Sequence, residues 1–157
     1  MGWLVPFGAP LVLLVTEHAA LLEASTQLFR IGYERVEGHL EGGIEAWRAA
    51  GRPVASYPTL EIADLVGELE RGEAGDVVDV RQRSEWDAGH LDGARHVFVG
   101  DLPDRLDEFD AGTRSTVVCA SGYRSAMAAS VLDRSGVPVR LVSKSGVPRA
   151  LRMQRSA

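Results

Sequence analysis

Residues 116–125 read Thr116-Val117-Val118-Cys119-Ala120-Ser121-Gly122-Tyr123-Arg124-Ser125, and the punctuation of this stretch points to the fold. Thr116 to Cys119 is a short apolar run of the kind that forms a buried strand, and Ser125 to Leu132 continues with helical spacing. The residues between are a strand-to-helix turn. Upstream, Asp76-Val77-Val78-Asp79-Val80 is a second apolar run bounded by polar residues. Ahead of it, Thr59 is placed to cap a helix with Ile62, Leu65, Val66 and Leu69 on one face, and Gly72 and Gly75 end that helix. Val97-Phe98-Val99 reads as a short extended piece, Leu102, Leu106 and Phe109 fit a helix starting near Pro103, and Val139 to Val142 is a final strand. Strands alternating with helices predict an α/β fold, with a mainly parallel central sheet flanked by helices on both faces and joined by right-handed crossovers. In such sheets the loops at the carboxyl ends of the strands form the site, and Cys119 stands at such an end.

The turn has a chemistry of its own. A loop between strand and helix curls its backbone N–H groups inward and aims a helix amino terminus at whatever the cysteine carries. Those fixed partial charges favour thiolate over thiol and make Cys119 a candidate nucleophile near neutral pH. Gly122 lets the chain turn tightly and brings its amide close to a bound group. Arg124 offers forked donors to an anionic substrate near the rim, and Ser125 suits the helix cap. A lone cysteine at a strand end is more often a small buried hydrophobe. The glycine, arginine and serine that follow Cys119 turn the reading toward catalysis.

These residues, with a second motif, resemble the rhodanese family. The second motif is Asp79-Val80-Arg81, followed by Glu85-Trp86 and then Gly89-His90-Leu91-Asp92-Gly93-Ala94. Rhodanese-like domains carry an Asp-Val-Arg, a Glu-aromatic pair and a Gly-His-Ile/Leu-x-Gly-Ala stretch in this order ahead of the cysteine loop. The resemblance covers roughly residues 57–142 and implies a three-layer sandwich. Cys119 to Arg124 is a Cys-x4-Arg arrangement with a six-residue loop, which is similar to that of sulfurtransferases; related phosphatases use one residue more to seat a tetrahedral phosphate. What the resemblance implies is double displacement: Cys119 takes sulfur from a donor such as thiosulfate, holds it as a persulfide, and yields it to cyanide or a small thiol. Ala120, Ser121, Gly122, Tyr123, Arg124 and Ser125 would form the substrate loop. Asp79, Arg81, Glu85 and His90 are read as structural support, because the reaction needs no second carboxylate. No cofactor is implied beyond the persulfide itself. His18, His39, His90 and His96 show no tight spacing, so no metal is expected.

A weak internal repeat accompanies the motif. Leu11 to Val15 followed by a helical pattern to Gly32 matches Thr116 to Cys119 followed by a helical pattern to Gly136, an offset of 104 residues at the glycines. Val36-Glu37-Gly38-His39-Leu40-Glu41-Gly42-Gly43-Ile44-Glu45-Ala46-Trp47 resembles the strand, Gly-Gly pair and Trp-bearing helix that close a rhodanese-like domain. Residues 1–55 are therefore expected to be the second half of an inactive rhodanese-like domain plus a linker, with Val15-Thr16-Glu17-His18 where a cysteine would stand. Residues 56–157 are expected to be the catalytic domain, whose own end lacks the Gly-Gly pair and Trp, so that its closing helix is very short or missing. Residues 11–51 would either complete that frayed edge in the same chain or swap into a second copy to make a homodimer.

The bulk numbers bound the rest. A formal net charge of -5 argues against nucleic acid or an acidic membrane as partner. The charge is uneven: residues 1–139 hold 12 basic and 22 acidic side chains, whereas Arg140, Lys144, Arg149, Arg152 and Arg155 make a wholly basic end that is read as solvated. The apolar run Leu4 to Val15 is too short and too interrupted by proline and glycine to span a bilayer, and is read as a loop leading into a buried strand. One cysteine cannot form an internal disulfide, which fits a reducing, cytoplasmic compartment. Small sulfur donors and thiol or cyanide acceptors are the expected partners. Two functions compete: a sulfurtransferase with turnover, and a carrier whose persulfide serves a partner enzyme. A third, an arsenate reductase or phosphatase variant, is disfavoured by the loop length.

Overall fold

A computed structural model describes residues 2–15 and 17–154. The chain divides into two units, Met1–Ser56 and Tyr57–Ala157.

In the first unit, strand β1 (Leu11–Leu14) leads through helix α1 (His18–Arg30) to strand β2 (Val36–Leu40), which is followed by helix α2 (Gly43–Ala49). The two strands pair in parallel. Their core is small: Leu11, Leu28 and Tyr33, with Val5, Leu13 and Val36 against them. The Tyr33 hydroxyl donates to the Val5 carbonyl, and its ring stacks on Phe7 with centroids 4.9 Å apart. The expectation of a buried strand here is corrected. Leu11 is buried, but Val12 is 72% exposed and Leu14 56%, because a two-stranded sheet with one covering helix layer leaves its other face open.

The second unit holds a five-stranded sheet in the order β3-β7-β6-β4-β5. Its elements are β3 (Thr59–Leu60), α3 (Ile62–Glu70), β4 (Asp76–Asp79), α4 (Arg83–Asp87), β5 (Ala94–His96), β6 (Ser115–Val118), α5 (Tyr123–Arg134), β7 (Val139–Val142) and α6 (Val147–Gln154). Every neighbouring pair is parallel, as the alternation of strands and helices requires. Register sorts the residues by face. Val77 aligns with Thr116 and Thr116 with Arg140, so Val77, Val118 and Val142 share one face, where they pack with Ile62, Leu65 and Val66 of α3 and Val147 and Ala150 of α6. By the same alternation Val78, Val117 and Leu141 face the other way, toward α5, which packs on β6 and β7 and buries Ala128, Ala129 and Leu132.

Several local expectations change. Thr59 does not cap α3; it pairs with Leu141 at the sheet edge, and Glu61 takes the cap position. The strand near Val97 is Ala94–His96. Val97 and Val99 follow it as buried irregular chain, held by amides that donate to the carbonyls of Asp79 and Val80 at 3.1 and 3.3 Å. The helix near Pro103 is two single 3-10 turns, Leu102–Asp104 and Leu106–Glu108. The closing helix is present: α6 has eight residues, with Pro148 in its first turn, where an absent amide costs nothing. Arg140 is not a solvated tail residue. It pairs with Glu68 of α3 and donates to Thr116 Oγ1 at 2.7 Å; Arg155 lies outside the described residues. Among the described residues no helix is long and apolar enough to cross a membrane.

Candidate active site

Strand β6 ends at Val118, and α5 begins at Tyr123, so residues 119–122 form the turn between them. Cys119 is 1% exposed. Gly122 takes the cap position of α5 with φ +100, a left-handed backbone that other residues rarely adopt, and its amide donates to Cys119 Sγ at 3.1 Å. Ser125 is therefore not the cap, as its spacing suggested. It sits in the first turn of the helix, wholly buried.

Burial pushes the Cys119 thiol up. The Ser125 hydroxyl and the amides of Ser121, Ser125 and Gly122 oppose burial and outweigh it, so the thiol lies below the ordinary cysteine value. The reactive form is the thiolate, so a lowered value moves the reactivity curve toward lower pH. We expect the rate of Cys119 alkylation by iodoacetamide to reach its midpoint below that of a free cysteine, and Ser125→Ala to move that midpoint up. A depressed folded-state value also means that ionisation favours the folded state. That contribution is complete above the unfolded-state value and is lost as the pH falls through the folded one.

Arg124 does not face the site as a free cation. It is locked to Glu85 by two hydrogen bonds, one of them Nη2 to Oε1 at 2.9 Å, and Glu85 in turn is held below the usual carboxylate range by Arg124. The pair ties α4 to the first turn of α5. Glu85 also accepts from the Gln82 amide at 3.2 Å, as half of a capping box at the start of α4. Asp79 and Arg81 form a second, deeper pair, with side chains 0% and 4% exposed. The Arg81 Nε–H lies 2.9 Å from both carboxylate oxygens, and Nη2 donates to Asp79 at 2.7 Å and to the Gly89 carbonyl at 2.8 Å. His90 stacks on Trp86 with centroids 3.8 Å apart, and its Nδ1 lies 3.1 Å from the Trp86 carbonyl. Trp86 also stacks on His96, whose Nε2 lies 2.8 Å from the Arg81 carbonyl. Ala120 is half-buried, and Tyr123 stands 81% exposed at the rim. Among the described residues no group of three or more His, Cys, Asp or Glu side chains could hold a metal ion.

Sequence reasoning missed the far wall. The segment between β7 and α6 lies directly against the cysteine turn. A methyl group on Gly146 would sit 1.8 Å from the Cys119 carbonyl oxygen, and one on Gly122 would sit 3.1 Å from the Lys144 backbone nitrogen. The Val147 amide donates to the Cys119 carbonyl at 2.9 Å. The one available signal was the parallel order of β6 and β7, which places their carboxyl ends side by side.

The profile of the rhodanese-like domain family matches residues 61–146. The chain belongs to this family. Thiosulfate sulfurtransferase GlpE of Pseudomonas putida is 37% identical to it over 65 residues, covering 41% of this chain and 59% of GlpE. YrkF of Bacillus subtilis, named for a sulfur-carrier role, is 26% identical over 80 residues, covering 51% of this chain and 43% of YrkF. Among solved structures, the rhodanese-like domain protein of Staphylococcus aureus superposes with a TM-score of 0.53 at 26% identity, covering 56% of this chain and 86% of that one. The chain spans about half the length of curated relatives such as YrkF and the HTH-type transcriptional regulator Rv0324 of Mycobacterium tuberculosis, at 43% and 52%. The match takes in the whole of the rhodanese-like cysteine turn and stops at Gly146, the residue that closes on it.

Proposed function

We propose that the protein is a sulfurtransferase that moves sulfane sulfur from a donor such as thiosulfate to a thiophilic acceptor through a persulfide on Cys119. The observation that carries this reading is the cradle around Cys119 Sγ, where loop amides and a buried hydroxyl outweigh the cost of burying a thiolate. The thiolate attacks the outer sulfur of thiosulfate; the S–S bond of the donor breaks, and sulfite leaves with its electron pair. The product, Cys119–S–S⁻, places one negative charge among the amides of Ser121, Gly122 and Ser125. Cyanide or a thiolate then attacks the outer sulfur and restores the Cys119 thiolate. No cofactor and no metal take part. A single thiol that must stay reduced fits a cytoplasmic setting.

Arg124, Glu85, Asp79, Arg81 and His90 act in this reading by holding the walls, since their polar groups are engaged with one another or with main chain. The first unit is read as the closing half of a rhodanese-like domain without a working site. Its order β1-α1-β2-α2 repeats β6-α5-β7-α6, and the residues opposite the cysteine are Val15-Thr16-Glu17-His18, of which Thr16 lies outside the described residues.

Intact-mass spectrometry after incubation with thiosulfate tests the reading. The expected result is a gain of one sulfur atom, absent in Cys119→Ser and lost on adding cyanide. A second reading, a carrier loaded by a protein partner, is favoured by the near-complete burial of Cys119. It takes over if thiosulfate leaves the mass unchanged while a persulfide-bearing protein donor raises it.

A further inference from the structure

The sequence points to Arg124 as the cation for an anionic donor, but Glu85 occupies both arms of its guanidinium. Arg81 is likewise committed, to Asp79 and Gly89. A dianion such as thiosulfate approaching a thiolate meets a like charge, so a site with no available cation would repel its own substrate. The segment between β7 and α6 supplies one. Lys144 is exposed and has neither a hydrogen-bond nor an ion-pair partner among the described residues. Its backbone nitrogen would lie 3.1 Å from a methyl group on Gly122, the residue whose amide holds Cys119 Sγ, so Lys144 stands beside the cysteine turn.

The backbone at Lys144 is unusual. With φ +63 it is the one non-glycine residue among the described residues in the left-handed region. The Ser145 amide donates to the Ser143 carbonyl at 2.8 Å, which makes Lys144 the centre of a three-residue turn of the rarer, strained kind. In the first unit, Gly42 fills the corresponding turn after β2 at φ +71, as a glycine can without strain. A long cationic side chain therefore stands where the backbone favours glycine, at the tip of a turn pressed against the cysteine loop. Strain of this kind persists where the surrounding structure enforces it.

We propose that Lys144 is a specificity residue that recruits anionic sulfur donors to Cys119. The inference rests on the persulfide reading for its biological donor, yet its test does not. In the native chain, Cys119 is alkylated with iodoacetate, an anion, and with iodoacetamide, a neutral reagent of the same shape, and the ratio of the two rates is followed. Lys144→Gly keeps the turn favourable and removes the charge. It is expected to lower the ratio roughly three- to tenfold at low salt, with the iodoacetamide rate unchanged, and the effect should shrink as salt is added. Lys144→Arg restores the ratio. Arg149→Met removes one positive charge from the exposed side of α6 and leaves the ratio as it was. A ratio unmoved by Lys144→Gly overturns the proposal, as does an equal fall in Arg149→Met or a Cys119 inert to both reagents. Thiosulfate loading measured on the same variants separates the two ideas. If the ratio responds to Lys144 while thiosulfate adds no sulfur, the anion-recruiting role stands and thiosulfate is not the donor.

Discussion

Gly146→Ala is expected to cost about 3 kcal/mol or more of stability, and to remove sulfur loading in whatever fraction stays folded. The added carbon would lie 1.8 Å from the Cys119 carbonyl oxygen, 2.7 Å from the Cys119 carbonyl carbon and 2.9 Å from that of Ala120. All three are backbone atoms, so no side chain can rotate aside to admit it. Either the start of α6 or the cysteine turn must move. Moving α6 breaks the 2.9 Å hydrogen bond from the Val147 amide to the Cys119 carbonyl and pulls Val147 and Ala150 away from Ile62, Leu65 and Val118. Moving the turn disturbs the amides that hold the sulfur. Urea denaturation followed by fluorescence reads the first effect, and intact-mass analysis after thiosulfate reads the second. A denaturation midpoint equal to that of the native chain would mean that α6 does not rest on the cysteine turn.

Asp79→Ala is expected to cost about 3–5 kcal/mol, the usual penalty for leaving a buried charge without its partner. The Arg81 side chain is 4% exposed and donates from Nε and Nη2 to Asp79, with one further bond from Nη2 to the Gly89 carbonyl. Without the carboxylate the guanidinium must remain buried and uncompensated, or swing out and release the Gly89 segment. Asp79→Asn retains an acceptor and should lose less. The double variant Asp79→Ala with Arg81→Leu should recover part of the loss, because it removes the uncompensated charge as well. Chemical denaturation of the three variants checks this order. A cost below about 1 kcal/mol for Asp79→Ala would show that the pair is solvated and does not brace the site.

Several parts of the molecule were legible because they depend on local pattern. The runs at Asp76–Asp79, Ser115–Val118 and Val139–Val142 are short and centred on apolar residues, and each is a strand. The spacing of Ile62, Leu65 and Val66 marks the buried face of α3. Local pattern misleads where a tertiary neighbour takes over a backbone group. Thr59 has the chemistry of a cap, yet a place was open at the edge of β7 and its backbone went there. Leu102, Leu106 and Phe109 have helical spacing, but Asp104 and Phe109 each close back by three residues rather than four, so only isolated turns form.

The candidate site divides in the same way. The residue types of the cysteine turn, Gly122 at its cap and the order of the two motifs are properties of the sequence, because strand-loop-helix geometry and a left-handed glycine follow from neighbours along the chain. The sequence by itself thus determined an α/β frame with a candidate nucleophile, Cys119, at a strand end. Which cation is occupied and which is available was decided only in three dimensions. Glu85 reaches Arg124 across 39 residues, and Ser143 to Gly146 meet the turn because β6 and β7 run side by side. These are contacts between segments distant in the chain, set by sheet order and register. No spacing within one segment encodes them.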